Sequence, residues 1–216
     1  MRDYLKYSAL LFLAVLGALV IIGFIGSWSA PILFLLALLG LPLIATLGLG
    51  IGLLLIVRGV KFVRTGDLSL RNRVVAVLIV PILLSIAAVC SLPALWLGSF
   101  TGMWVKFLTN YSRYEAIIAK AEVDKSDGQY SEYLTDDGVT YVIDYGPPIR
   151  VAFNPEGILD NWAGIIFDPT GEVMRADGFD PVTGAFHASD SVTKLFGGDL
   201  ISCHHMWDSY YKCSFT

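Results

Sequence analysis

The sequence predicts a membrane α-helical protein: three transmembrane helices followed by a C-terminal α+β domain whose sheet is mainly antiparallel. Three observations carry this. Of 216 residues, 55% are hydrophobic and 16% charged, where an ordinary soluble domain is ~25% charged. Residues 8–26, 31–57 and 74–100 contain no Asp, Glu, Lys, Arg or His, and roughly 20 apolar residues suffice to cross ~30 Å of hydrocarbon. After residue 100 the composition changes: residues 101–216 carry eight Lys plus Arg and seventeen Asp plus Glu, a formal charge of −9 against −4 for the whole chain. These facts exclude a soluble single-domain enzyme, a disordered chain and a collagen-like chain.

The first span is 8–26. Its apolar run exceeds the ~7–15 residues of a cleaved signal peptide, and Pro31 follows the one small-residue site, Ser29-Ala30. It reads as an uncleaved signal anchor. The second span, 31–57, is longer than the bilayer is thick and too short for two crossings. Tilt or a kink must absorb the excess, with Pro42 and the glycines at 40, 48, 50 and 52 as kink points. Gly48 and Gly52 form a small-xxx-small face. That face serves either a homo-oligomer or packing against the chain's own first or third span. The third span, 74–100, contains Pro81 and Pro93, which need neighbouring helices or Ser and Thr to satisfy the freed carbonyls. Ser85, Ser91 and Cys90 are at hand, Cys90 as a small apolar residue.

Flanking charge sets the orientation. The connector 58–73 carries Arg58, Lys61, Arg64, Arg71 and Arg73 against Asp67, and cytoplasmic loops hold the excess of Lys and Arg. Arg2 and Lys6 stand against Asp3 before the first span, and Ser27 to Ala30 is uncharged. The N-terminus and the basic connector are therefore expected in the cytoplasm, with the C-terminal domain outside. Trp28, Trp96 and Trp104 fall at the outer boundary, as an aromatic belt does. Transport and ion pathways place ionisable residues at membrane depth. The spans hold none, and no inverted repeat of broken helices is visible. The expected location is a bacterial inner membrane, multi-pass, with a periplasmic domain.

The exported domain, 101–216, opens with a helix over about 102–122. Apolar residues at 104, 107, 108, 111, 114, 117, 118 and 121 follow the 3.6 period, with Lys106, Asn110, Arg113 and Lys120 off the stripe. This helix either continues the third span or follows a bend at Gly98 or Gly102. Strands and turns come next. QYSEYLT (129–135), Asp136-Asp137-Gly138 and VTYVIDY (139–145) read as a hairpin. IRVAF (149–153) leads to Asn-Pro-Glu-Gly at 154–157, and WAGIIFD (162–168) to Pro169-Thr170-Gly171 and EVMRA (172–176). Both turns share an Asx, a Pro and a Gly at the same offsets. A further turn is expected at Asp180-Pro181 before Gly184. DSVTKLF (190–196) reads as a short helix capped by Ser189, Asp190 or Ser191 and closed by Gly197-Gly198. DLISCHHMW (199–207) and YYKCSFT (210–216) close the chain.

Cys203 and Cys213 are equidistant from Asp208. In an antiparallel hairpin with the three-residue loop Trp207-Asp208-Ser209 they stand directly opposite, with Cβ atoms ~4.5–5.5 Å apart. A disulfide needs roughly 3.5–4.5 Å. An external location favours the bridge, and its short loop limits its contribution to ~3 kcal/mol.

Other chemistry is weakly coded. Cys203, His204, His205, Cys213 and His187 are metal-ligand types without zinc spacing. Adjacent histidines on a strand point to opposite faces, one to the core and one to solvent. No nucleophile elbow surrounds Ser202, which His204 and Asp199 would have to serve in a triad. Asp124-Lys-Ser-Asp-Gly lacks the glycine and glutamate positions of a calcium loop. Asp160 with Asp168, or Asp168 with Glu172, is a carboxylate pair only if Asp168 is released from its turn. Asn110-Tyr-Ser is a glycosylation sequon by pattern, relevant only in a eukaryotic secretory pathway. No metal site, cofactor or nucleic-acid partner is expected; the acidic charge repels nucleic acid.

Aromatic residues are dense after residue 110: Tyr111, Tyr114, Tyr130, Tyr133, Tyr141, Tyr145, Trp162, Trp207, Tyr210 and Tyr211. Those beyond the needs of a core anchor interfaces. Trp162, Trp207, Tyr210 and Tyr211 are the expected partner-binding residues. In its three spans and small acidic, aromatic-rich exported domain, the chain resembles membrane immunity proteins that protect bacteria from their own secreted toxins. The resemblance is one of architecture. It implies a non-enzymatic role, blocking a toxin at the membrane or in the periplasm. The alternative is an envelope assembly or sensing component whose domain binds a peptide, lipid or membrane subunit while the basic connector meets a cytoplasmic partner.

Overall fold

The computed structural model describes residues 2–65, 69–123, 131–158, 161–176, 182–183, 192 and 194–216. The chain divides into two compact units, Met1–Val105 and Lys106–Thr216.

The first unit is helical: α1 (Arg2–Gly26), α2 (Ala30–Leu35), a π-helical turn (Leu36–Gly40), α3 (Leu41–Thr65) and the first part of α4 (Leu70–Val123). Three stretches, Arg2–Gly26, Pro31–Arg64 and Leu70–Val123, are long and apolar enough to cross a membrane. The second is interrupted by the π turn at Leu36–Gly40. Pro42 has no N–H and its ring crowds the carbonyl four residues back. Immediately before it, Leu41 N–H bonds the Leu36 carbonyl, five residues back. A widened turn is the usual helical response to such a misfit.

Helix contacts are made through small residues. Gly48, Gly52, Leu55 and Gly59 form the buried stripe of α3. A Cβ at Gly48 would stand 3.4 Å from Val15 of α1, and one at Gly52 would stand 2.8 Å from Leu84 of α4. Gly50 meets nothing within 4 Å. The closest approach lies elsewhere. A Cβ at Gly23 would overlap the Leu95 carbonyl, one at Gly98 the Val20 carbonyl, and one at Gly102 the Ser27 hydroxyl. Backbone therefore packs on backbone between α1 and α4. Gly98 and Gly102 do not end the helix, which continues through both. They are the small residues that admit α1.

In the second unit the remainder of α4 packs on a six-stranded sheet of order β1-β2-β3-β4-β6-β5, every pair antiparallel. The strands are β1 (Leu134–Asp136), β2 (Val139–Asp144), β3 (Arg150–Ile158), β4 (Asn161–Phe167), β5 (Leu200–Trp207) and β6 (Tyr210–Phe215). A cis Pro147–Pro148 peptide lies between β2 and β3. Phe107, Tyr114, Ile117, Ile118 and Ala121 are the buried stripe of α4. Leu108, expected on that stripe, is exposed, because the covered arc is narrower than the apolar one. On the other face Val142, Ala152, Ile166, Cys203, Tyr211, Cys213 and Phe215 pack beneath 3₁₀ turns at Glu172–Arg175 and Leu195–Gly197.

Four local expectations are corrected. Asn154-Pro155 is not a turn: β3 runs through it with a register shift between Phe153 and Glu156. Asn154 adopts φ 46° there; a left-handed Asn and a proline without N–H fit a bulge as well as a turn. EVMRA forms a 3₁₀ turn, not a strand. In the last hairpin Trp207 pairs with Tyr210, leaving a two-residue loop, Asp208-Ser209. A bulge between His205 and Trp207 restores the register, so Cys203 still faces Cys213. Of the expected helix 190–196, Leu195 and Phe196 lie in a 3₁₀ turn and Phe196 has φ 56°. Asp67, the 124–128 cluster, Asp160, Asp180-Pro181, Gly184, His187 and the cap residues 189–191 lie outside the described residues.

Candidate protein-binding surface

Six rings join α4 to the sheet. Tyr114 stacks on Phe153 with centroids 4.2 Å apart, and Tyr210 meets Phe107 at 5.1 Å, Phe167 at 5.6 Å and Tyr111 at 5.7 Å. Their hydroxyls are partnered. Tyr210 donates to Glu115 Oε1 at 2.6 Å, and Asn154 Nδ2 donates to the Tyr114 hydroxyl at 2.9 Å. Burial pushes Tyr114 up to about 12, partly offset by Asn154. Burial, and then the Glu115 carboxylate, holds Tyr210 well above its ordinary value. Both are neutral hydrogen-bonding groups at any physiological pH.

The β5–β6 tip stands at the border of this cluster. Trp207 is 60% exposed, directly across the strand pair from fully buried Tyr210. The loop turns tightly, with Asp208 at φ 48°. His205 Nε2 lies 2.8 Å from the Asp208 carbonyl oxygen, which requires the proton on Nε2. The Ser209 carbonyl accepts from Asp168 N–H at 2.9 Å. The Cys203–Cys213 disulfide ties the two strands behind the tip. Asp208 and Glu115 are exposed carboxylates at this end. The arrangement is a rigid aromatic anchor beside acidic groups, suited to a basic side chain stacked on an indole.

The other expected contact residues are placed differently. Tyr210 and Tyr211 are core: as consecutive residues of β6 they take opposite faces, Tyr210 under α4 and Tyr211 under the 3₁₀ turns. Trp162 is half-buried, stacked on Phe215 at 3.8 Å and edge-on to Phe196. Exposed Tyr133, on the β1 side of the sheet, is a surface aromatic that composition alone did not single out.

Among the described residues no three His, Cys, Asp or Glu side chains gather as a metal site. His204 and His205 are both exposed, on an edge strand, so the expectation of one facing the core is corrected. Asp168 is fully buried inside its turn. It accepts from Thr170 Oγ1 at 2.7 Å, Thr170 N at 3.1 Å, Val173 N at 3.0 Å and Arg150 Nε at 3.0 Å. Arg150 also reaches Glu172 at 2.9 Å. The Asp168–Glu172 pair is thus a clamp on one guanidinium.

Lys212, opposite His204 in the register, is pushed down to about 8 by burial, then by the Lys106 ammonium, with Glu156 opposing. Glu156 is itself engaged with Lys106 at 2.8 Å.

No protein-family model, curated protein or solved structure matches this chain.

Proposed function

We propose that the chain is a membrane-anchored binding protein of a bacterial inner membrane. Its three apolar helices are the spans, its N-terminus and basic connector are cytoplasmic, and its acidic sheet domain is periplasmic. The domain holds a protein partner through the β5–β6 tip, and the role that fits best is immunity against a secreted antibacterial toxin. One observation carries the reading: Trp207 is exposed on a disulfide-braced tip beside Asp208 and Glu115. Trp is among the residue types that dominate binding hot spots. The net charge of −9 over residues 101–216 steers basic partners toward it.

The test is cross-linking in intact membranes with a C-terminal tag, followed by mass spectrometry. One dominant secreted or neighbouring-gene protein is the expected capture. Trp207→Ala should reduce that capture at least tenfold, hot-spot loss being ~2 kcal/mol or more, while thermal stability stays within ~0.5 kcal/mol. Envelope subunits in fixed ratio would instead identify an assembly component. Capture unaffected by Trp207→Ala would remove the tip from the interface.

A further inference from the structure

We propose that the end of the helical unit where α1 begins, α3 ends and α4 begins holds the phosphate headgroup of an anionic phospholipid. A cavity of about 210 Å³ lies there, lined by Asp3, Tyr4, Tyr7, Leu55, Arg58 and Phe62. Its floor is built from three helices. The Tyr4 hydroxyl donates to the Ala76 carbonyl at 2.8 Å, and Ser8 Oγ donates to the Tyr4 carbonyl at 2.9 Å. Gly59 makes room for the ring: a Cβ there would stand 2.7 Å from the Tyr4 hydroxyl oxygen. The rim is uncommitted. Among the described residues neither the Arg58 guanidinium nor the Tyr7 hydroxyl has a hydrogen-bond or ion-pair partner. An Arg fork and a phenol are a matched donor set for a phosphodiester.

Charge favours an anion. Residues 2–6 and 58–73 together carry seven Lys and Arg against Asp3 and Asp67. Asp3 lines the cavity and opposes the ligand, but the local excess remains strongly positive. The same excess disfavours a headgroup that carries its own ammonium. Shape favours a lipid over a free anion. Leu55 and Phe62 form the apolar side of the cavity, and Ile51 and Leu54, one helical turn before Leu55 and Arg58 on α3, are exposed apolar side chains for acyl chains. Basic pockets between helices at the cytoplasmic leaflet take such headgroups.

The proposal rests on reading the three helices as membrane spans, so that reading is tested first and separately. Recovery of the chain without detergent after alkaline extraction would overturn both. The full chain is then purified in detergent, and native mass spectrometry counts retained lipid after addition of phosphatidylglycerol or phosphatidylcholine, with and without inorganic phosphate. The expected result is a 1:1 phosphatidylglycerol adduct, no matching phosphatidylcholine adduct and no competition by phosphate. Arg58→Gln should lower occupancy about tenfold, and Arg64→Gln, the same charge change outside the cavity, by less than about twofold. Equal losses in the two variants, equal retention of the two lipids, or displacement by millimolar phosphate would overturn the headgroup site while leaving the spans intact. Tyr7→Phe removes one hydroxyl without disturbing packing. If Arg58→Gln does not purify as a monodisperse protein, unchanged occupancy in Tyr7→Phe overturns the site.

Discussion

Asp168 shows how one side chain holds a turn, an arginine and a 3₁₀ helix at once. Burial alone would raise its pKa. The bonds from Thr170 and Val173 and the Arg150 charge outweigh this, and hold the carboxyl below the ordinary 3.8. The folded state therefore binds this proton less readily than the unfolded chain does. Its stabilisation is complete above the ordinary carboxylate value and is lost as pH falls through the lower folded one. Asp168→Asn leaves Arg150 buried beside an amide and should cost about 3–5 kcal/mol, read from denaturant midpoints at pH 7. The cost should shrink as the wild type is titrated below pH 3.8. Lys212 works in the opposite sense. Its folded value of about 8 lies below the ordinary 10.5, so the unfolded chain binds the extra proton and stability rises with pH across that window. Lys212→Met should stabilise the domain by about 1–3 kcal/mol at pH 7. That advantage should vanish by pH 10.5, and an advantage constant with pH would show that charge burial is not its origin.

Helix packing turns on which glycine is opposite a backbone. Gly98→Ala places a methyl on the Val20 carbonyl and 2.9 Å from the Phe24 nitrogen. Both are main-chain atoms that cannot step aside, so a loss of about 1–3 kcal/mol is expected. Gly50→Ala meets open space and should leave the midpoint unchanged or slightly raised by helix propensity. Thermal unfolding in detergent separates the two variants, and equal effects would discount the α1–α4 contact. The last hairpin is the matching case in the sheet. Its bridge closes a separation of 10 residues, so Cys203→Ser with Cys213→Ser should lower stability by ~3 kcal/mol or less. Because the bridge lies under the 3₁₀ turns and not at Trp207, partner capture should survive at temperatures where the variant is folded.

Two units of different physics share one chain. Residues up to Val105 expose apolar side chains over most of their surface, as Leu54 and Val89 at 71% and 78% exposure illustrate. Residues from Lys106 bury theirs in an aromatic core. Helix α4 belongs to both and runs 54 residues without interruption, Pro81 and Pro93 included. Surface pairs such as Arg113–Asp137 and Lys120–Asp136 link α4 to the β1–β2 hairpin. Exposed as they are, each is worth ~0–1 kcal/mol; the ring cluster holds α4 instead to β3, β4 and β6. On the proposed reading, the first unit anchors the chain and the tip of the second meets the partner.

Legibility followed the range of the interaction. Charge-free runs, the Asp137-Gly138 turn and the Cys203–Cys213 register rest on neighbours within a few residues, and composition and spacing sufficed for them. Three features resisted because they depend on what lies across a contact. Asn154-Pro155 has one local chemistry for turn and bulge, and only the pairing of β3 with β4 chooses between them. Gly98 and Gly102 looked like bend points until α1 supplied the backbone they accommodate. Trp207 and Tyr211 were equal in the sequence, but Trp207 lies at the uncovered tip while the 3₁₀ turns cover the face that Tyr211 presents. Local hydropathy, turn chemistry and cysteine spacing determined the element types and the helix-then-sheet division. Rotation of each helix about its axis, the slip of each strand and the face each aromatic presents were decided by tertiary packing, because those choices are set by long-range contacts that no local window contains.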